Sequence, residues 1–496
     1  MAIYKIYIHN LDKFIEGKSG RLLKDIIIEN GLPLEMPCGG NGICGGCALN
    51  IRPLGNKYGF KTIFPCSHLL EKDIEIEYLK VPDEELKSVD KDVDGDSDSS
   101  DEISVAVDIG TTGVTIDFLD LEIEDPLAVR SFLNPQVQYG NDLISRIDYI
   151  GGSQEKLDKV KNVLLDKLTE VIDDLGKGKV KEAVFAANTT MLHIIAGENP
   201  YGIAVYPYQP VFLESRKYKP GEFHGWDFDV TLLPSASAYI GSDIISGIFA
   251  TEFYKRKDSS LFIDIGTNGE IVMNINGEMK AVSASAGPAF EGMNIECGSR
   301  AVTGAVESFK IKDNGEFKVS TIGDTEPKTI CGSGLIDIAS ELLKAGIVEE
   351  SGRFTKDSDN PLFDKMKDKK FYITDKVYLS QKDIRQIQLA KAAISAGIKI
   401  LLEAFKKDIN DLDEVIVAGS FGYHLNKESV LVTGIIPKEF KGKISSVGNS
   451  SLLGAVKTCY EPEYVDIMDE IAKDIDVIEL SLRDDFQDVF VKEMKF

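Results

Sequence analysis

Asp108-Ile109-Gly110-Thr111-Thr112-Gly113 recurs 156 residues later as Asp264-Ile265-Gly266-Thr267-Asn268-Gly269. Each copy follows an apolar, strand-like run (Ile103 to Val107; Leu261 to Ile265) and precedes another (Val114 to Phe118; Glu270 to Met273). A strand, a turn of glycine and threonine and a second strand make a hairpin whose tip offers backbone N–H groups and hydroxyls to phosphate oxygens. An aspartate at the strand end can hold Mg²⁺, usually through water. Two copies so far apart predict two similar lobes rather than a solenoid, whose period would be shorter. Facing each other, the hairpins would clamp the phosphates of a nucleotide, with Asp108, Gly110, Thr111, Thr112, Asp264, Gly266, Thr267, Asn268 and Gly269 as the binding residues. Either copy alone reads first as an ordinary hairpin turn.

A third segment, Val415-Ile416-Val417-Ala418-Gly419-Ser420-Phe421-Gly422, again runs from a strand into a turn of small residues, with Gly419, Ser420 and Gly422 placed to lie against an adenosine. The ordered set of two phosphate hairpins and a glycine turn resembles the actin, Hsp70 and sugar-kinase superfamily of ATPases over residues from about 103 to 480. That resemblance implies an α/β, two-lobed, RNase H-like domain binding ATP with Mg²⁺. The chain between the motifs agrees: strand-like runs alternate with amphipathic helices at 153–176 and about 382–406. Further turns of the same character are Ala187-Asn188-Thr189-Thr190, Ala284-Ser285-Ala286-Gly287-Pro288 running on to Glu291-Gly292, and Cys331-Gly332-Ser333-Gly334. Asn188 or Thr189 would orient the attacking water in the superfamily, with Ser285 as a third catalytic candidate; helix capping and tight packing explain these residues as well. Asn134-Pro135-Gln136 with Gly140-Asn141-Asp142 and Arg146 reads as a helix cap or a partner-facing loop, and His193 as a structural histidine.

Upstream, Cys38-Gly39-Gly40-Asn41-Gly42-Ile43-Cys44-Gly45-Gly46-Cys47 is half glycine, and Cys66 follows. An iron–sulfur cluster needs converging thiolates and a backbone wrapped close to its sulfurs, which glycine permits. The C-x5-C-x2-C spacing with one distant cysteine resembles adrenodoxin-like and plant-type ferredoxins, implying an α+β, β-grasp, ferredoxin-like domain with a [2Fe-2S] cluster on Cys38, Cys44, Cys47 and Cys66. Structural zinc is the alternative, although zinc sites favour two close knuckles. Strand-like Ile3 to Ile8, a short helix capped by Ser19, and strands near residues 48–52 and 74–78 complete this unit. Cys297, Cys331 and Cys459 have no partner at ligand spacing and read as buried hydrophobes.

Between the two parts, residues 82–102 carry Asp90, Asp92, Asp94, Asp96, Asp98, Asp101 and Glu102, a composition that cannot bury apolar area and predicts a flexible linker. The expected division is therefore 1–81, linker 82–102, first ATPase lobe 103–258, and second lobe with a C-terminal return segment 259–496. Shortening residues 83–100 is expected to slow electron delivery and spare ATP hydrolysis.

The 496 residues include 81 acidic and 56 basic side chains, a formal charge of −25. Such a surface repels phosphodiesters and anionic lipid, which argues against nucleic acid and membrane as partners. No signal peptide and no membrane span are recognisable, so a cytoplasmic location is expected.

A ferredoxin-like module joined to an ATPase of this superfamily resembles, over nearly the whole chain, the reductive activators of corrinoid proteins. The motifs at Cys38 to Cys47, Asn134 to Arg146, Ala187 to His193, Ala284 to Gly292 and Ala418 to Gly422 all share that likeness. The resemblance implies ATP-dependent transfer of an electron from the cluster to an inactive Co(II) corrinoid protein of a methyltransferase system, restoring Co(I). It also implies an upstream low-potential electron donor and a homodimer. Two other readings remain: an ATP-driven reductase of another low-potential cofactor, and a redox-sensing small-molecule kinase or binding module.

Overall fold

The computed structural model describes residues 2–9, 12–30, 32, 34, 47–56, 60–78, 102–122, 126–176, 179–312, 316–356, 361–419 and 425–496. Cys38, Cys44, Ser420, Gly422 and the acidic stretch up to Asp101 lie outside the described residues.

The N-terminal unit contains β1 (Ile3–Ile8), β2 (Lys13–Lys18), α1 (Leu23–Glu29), β3 (Leu49–Pro53), β4 (Lys61–Ile63) and β5 (Ile74–Tyr78). They form one mixed sheet in the order β2-β1-β5-β3-β4, with β1 parallel to β5. Alternation sends Ile6 and Ile8 inward, where Leu23, Ile26 and Ile27 of α1 and Leu70 cover them. Ser19 does not cap α1. Its N–H bonds the Ala2 carbonyl at 2.8 Å in the turn that closes β2, and Leu22 occupies the cap position without a side-chain hydrogen bond.

The first lobe comprises β6 (Ile103–Ile109), β7 (Gly113–Leu119), β8 (Pro126–Leu133), α2 (Leu143–Ile150), α3 (Gln154–Gly176), β9 (Val180–Ala187), α4 (Thr189–Ala196), α5 (Tyr201–Ala204), β10 (Arg216–Tyr218), β11 (Asp229–Leu232) and α6 (Ser242–Ala250). Its sheet order is β10-β11-β9-β6-β7-β8, with β6 antiparallel to β7 and parallel to β9. Burial of β6 on both faces explains its continuous apolar run. The stripe Leu157, Val160, Leu164 and Leu168 seats α3 on this sheet.

The second lobe begins with β12 (Ser259–Ile265), β13 (Gly269–Ile275) and β14 (Glu278–Ala284). Then come β15 (Ala305–Ile311), β16 (Phe317–Thr321), β17 (Thr329–Ile330), α7 (Gly332–Lys344), β18 (Met366–Lys367), β19 (Lys370–Tyr372), β20 (Tyr378–Ser380) and α8 (Gln381–Phe405). The chain ends through β21 (Glu414–Ala418), α9 (Lys427–Thr433), β22 (Lys443–Gly448), α10 (Ser450–Tyr460), α11 (Tyr464–Asp474), β23 (Asp476–Val477) and α12 (Phe486–Lys492). The main sheet, β22-β21-β12-β13-β14-β23, repeats the core of the first: β12, β13, β14 and β21 stand where β6, β7, β8 and β9 do. Two small three-stranded sheets, β16-β15-β17 and β18-β19-β20, sit in the insertion between β14 and α8.

One apolar cluster belongs to both lobes. Ala106, Val184 and Ala186 of the first sheet and Phe262, Val272 and Ile416 of the second enclose Ile245 and Ile248 of α6 and Leu452 and Ala455 of α10. At about 25 cal/mol per Å² of buried apolar surface, this shared layer holds the two sheets together.

Candidate functional site

The two hairpins meet at a cleft of about 430 Å³. In the first, β6 ends at Ile109, and the Gly110 N–H bonds the Gly113 carbonyl at 2.9 Å. A Cβ on Gly110 would stand 2.8 Å from that oxygen, so only glycine permits the turn. In the second, the Gly266 N–H bonds the Asn268 carbonyl at 2.9 Å. Asp108, Gly110, Thr111, Thr112, Asp264, Gly266, Thr267, Asn268 and Gly419 all line the cleft. Gly269 does not; it begins β13 and is buried against Ile394. Gly419 has φ of +90°, and a Cβ there would come within 2.7 Å of Asp264 Oδ1.

Residues that the sequence reading missed complete the lining. Asp243, near the start of α6, and Glu270, opposite Asp264 in the β12–β13 ladder, join Asp108 and Asp264 as four carboxylates around the cleft floor. Burial, followed by the charges of Asp264 and Asp108, pushes Asp243 up to about 7. Burial and the charge of Asp108 push Asp264 up to about 7, and burial also raises Glu270 and Asp108. Asp108 is partly compensated: its Oδ2 accepts from Asn449 Nδ2 at 2.8 Å and its Oδ1 from Ser451 Oγ at 2.7 Å. Those two residues arrive from the other lobe, at the start of α10. Their segment, Gly448-Asn449-Ser450-Ser451, follows a strand just as the recognised motifs do, and that was the available signal.

Asn188 has two roles. Its Oδ1 accepts from the Met191 N–H at 3.0 Å, capping α4, and its Nδ2 reaches Thr111 Oγ1 at 3.4 Å on the cleft wall. Thr189 and Ser285 are not brought to the cleft. The Thr189 hydroxyl donates to the Ser237 carbonyl at 2.6 Å, and Ser285 is exposed on the loop after β14. Further along, Arg300, Glu307, Cys331 and Ser333 extend the lining.

A brace stands behind the first hairpin. Asn134 Nδ2 donates to the Gly110 carbonyl at 2.9 Å, and the fully buried Arg146 donates to the carbonyls of Thr111 and Gly140. Asp142 caps α2 by accepting from the Ser145 N–H at 2.7 Å. The Asn134 to Arg146 segment thus supports the turn from inside. His193 is structural: its Nδ1–H donates to the Thr189 carbonyl at 2.7 Å, and its Nε2 accepts from the Val211 N–H at 2.9 Å.

Residues 103–256 match a family model described as the RACo middle region, and residues 258–496 one described as the C-terminal domain of RACo, the ASKHA domain. The chain is 30% identical over 422 residues to the corrinoid activation enzyme RamQ of Eubacterium limosum, covering 79% of this chain and 70% of that protein. The chain belongs to this family of corrinoid protein activators. A second member, the [Co(II) methylated amine-specific corrinoid protein] reductase of Methanosarcina barkeri, is 23% identical over 433 residues, 79% of this chain and 76% of that one. A solved reductive activator for a corrinoid, iron–sulfur protein superposes over 99% of this chain and 98% of its own, with a TM-score of 0.71 and 26% identity. The match of residues 258–496 to an ASKHA domain supports ATP binding, in agreement with the ordered motifs.

In the N-terminal unit, Cys47 and Cys66 are buried with their sulfurs 3.2 Å apart. That is too long for a disulfide bond, and suitable for two thiolates sharing one metal-centred ligand set. Among the described residues no group of three or more His, Cys, Asp or Glu side chains is set to hold a metal ion directly. Cys331 and Cys459 are buried and Cys297 is half-buried against the core, as expected of small hydrophobes. Among the described residues no helix is long and apolar enough to cross a membrane.

Proposed function

We propose that this chain is an ATP-dependent reductive activator that delivers one electron to a corrinoid protein whose cobalt has been trapped as Co(II), returning it to Co(I) for methyl transfer. The observation that carries this reading is the pairing, on one chain of the activator family, of two converging buried thiols with a cleft between two phosphate-type hairpins.

The N-terminal unit is a ferredoxin-like β-grasp domain whose Cys38, Cys44, Cys47 and Cys66 hold a [2Fe-2S] cluster. Supporting this are the mixed sheet with parallel β1 and β5 and the proximity of Cys47 and Cys66. When bound, the cluster supplies a single electron at low potential, plant-type clusters sitting near about −400 mV. The chain itself excludes water from Cys47 and Cys66 by packing them among Ile6, Leu49 and Leu70.

In the cleft, the hairpin N–H groups and the hydroxyls of Thr111, Thr112 and Thr267 bind phosphate oxygens. Gly419, Ser420 and Gly422 admit the adenosine, and Asn188 orients the attacking water. Asp108 and Asp264 would hold Mg²⁺, whose charge would relieve the mutual repulsion of the floor carboxylates. A nucleotide-driven change between states separated by about 5.5 kcal/mol corresponds to a 10⁴-fold shift. At about 59 mV per tenfold, it offsets roughly 240 mV of an uphill reduction. The partners are a corrinoid protein of a methyltransferase system and an upstream low-potential donor, with the activator working as a homodimer in the cytoplasm.

The test is anaerobic reduction of a Co(II) corrinoid protein from the same organism, followed by its visible absorption with and without ATP. Co(I) is expected to accumulate only with ATP. Equal accumulation without ATP would sink the proposal.

A further inference from the structure

The two lobes share a device whose use differs between them. In each, the third strand of the hairpin layer runs into a single 3-10 turn opened by proline: Pro135–Tyr139 after β8 and Pro288–Glu291 after β14. Of the two hairpins, the first turn reaches the one in its own lobe. Asn134, its cap, donates from Nδ2 to the Gly110 carbonyl and from its backbone N–H to the Thr112 carbonyl, both at 2.9 Å. The second turn serves both hairpins. Glu291 Oε1 accepts from the Thr267 hydroxyl at 2.6 Å in its own lobe, and Oε2 accepts from the Thr112 hydroxyl at 2.8 Å in the other. Its carboxylate lines the cleft.

An anion therefore stands where the hydroxyls of two phosphate-type hairpins converge. A hydroxyl has one proton and serves one strong acceptor at a time. The carboxylate and a phosphoryl group cannot both take the Thr112 and Thr267 protons, and two anions sharing that spot repel.

We infer that Glu291 is a nucleotide-sensitive clasp that competes with the terminal phosphate of ATP for two hydroxyls. Its carboxylate clasps the lobes through Thr112 and Thr267 until the γ-phosphoryl group takes over both hydroxyls, so that ATP opens the clasp and ADP leaves it made. The inference rests on reading the cleft as the ATP site, and it adds that the link between the lobes depends on which nucleotide is bound.

The experiment compares full-length wild type with Glu291→Gln, whose side chain keeps the shape and loses the charge. Affinities are measured by titration calorimetry with Mg²⁺·ADP and with the Mg²⁺ complex of the non-hydrolysable ATP analogue bearing an imido bridge between the β and γ phosphates. The substitution is expected to tighten the triphosphate by about tenfold and to move ADP by less than about twofold. A merely structural role would shift both nucleotides together, and that outcome overturns the inference, as does a weakened triphosphate. If the wild type binds neither nucleotide, the reading of the cleft as an ATP site falls as well. Glu291→Ala carries the same expectation and replaces Glu291→Gln should that variant fail to show a cooperative melt.

Discussion

The guanidinium of Arg146 donates to the carbonyl oxygen of Thr111, so a fully buried cation sits directly behind the tip of the first hairpin. It also donates to the Gly140 carbonyl at 2.8 Å and to Gln136 Oε1 at 3.2 Å. Burial draws it down to about 9, against the opposing charge of Asp142. Pinning the Thr111 carbonyl fixes the orientation of the adjoining peptide planes, and with them the N–H groups proposed to meet phosphate.

Arg146→Met should therefore act twice. It leaves the Thr111 and Gly140 carbonyls without their buried donor, a loss of roughly 3 kcal/mol, seen as a melting point several degrees lower. It should also weaken ATP by about tenfold, because the loosened turn must be reordered on binding. Arg146→Lys should recover part of the affinity. Unchanged nucleotide binding in the Met variant, measured below its melting point, would remove the brace from the mechanism.

Much of this site was readable in the chain because its grammar is local. An apolar strand followed by Gly and Thr specifies a hairpin, and Asp108 and Asp264 precede their turns by fixed offsets. What was not readable comes from packing. Asn449 and Ser451 reach Asp108 across more than 300 residues, and Asp243 arrives with a helix wedged between the lobes. Thr189 follows Asn188 directly, yet the helix it begins turns its hydroxyl away to Ser237. β2 was missed because Lys13-Phe14-Ile15-Glu16-Gly17-Lys18 buries only Ile15 and Gly17, too weak an alternation at a sheet edge.

Asp264 tests the cation. Its carboxylate shares one cleft with Asp108, Asp243 and Glu270, an arrangement that is unfavourable in the free protein and that the proposed divalent ion would relieve. Asp264→Asn should lower Mg²⁺-dependent ATP hydrolysis by at least about a hundredfold. The same variant should melt no lower than wild type without nucleotide, since a repelling charge has gone. Loss of activity together with a strongly lowered melting point would mark Asp264 as structural instead.

His193 supplies a pH signature. With Nδ1–H bound to the Thr189 carbonyl and Nε2 receiving the Val211 N–H, the ring is held neutral. Burial lowers it to about 4, despite the opposing pull of the Thr189 carbonyl and Glu198. Because the folded value lies below the unfolded one of about 6.5, its contribution is complete above about pH 6.5 and is lost as pH falls towards 4, by up to about 3 kcal/mol. Denaturant midpoints of the wild type should fall across that window, and His193→Gln should flatten the fall. Parallel pH curves for the two proteins would contradict this.

Cys66 offers the most direct test of the N-terminal unit. Its sulfur lies 3.2 Å from that of Cys47 in a buried core, where the Cys47 thiol reaches it, a separation that also suits two ligands of one metal centre. Protein purified without oxygen should carry about two irons per chain with matching sulfide, and after reduction a rhombic S = 1/2 electron paramagnetic resonance signal. Cys66→Ser should lose most of that iron and the signal while keeping nucleotide binding in the cleft, whose lining does not include Cys66. The core packing of Ile6, Leu23 and Leu70 does not depend on the thiol, so the unit should retain its sheet. Zinc in place of iron in the wild type would remove the electron donor, and with it the assignment of this unit as the source of the electron for cobalt.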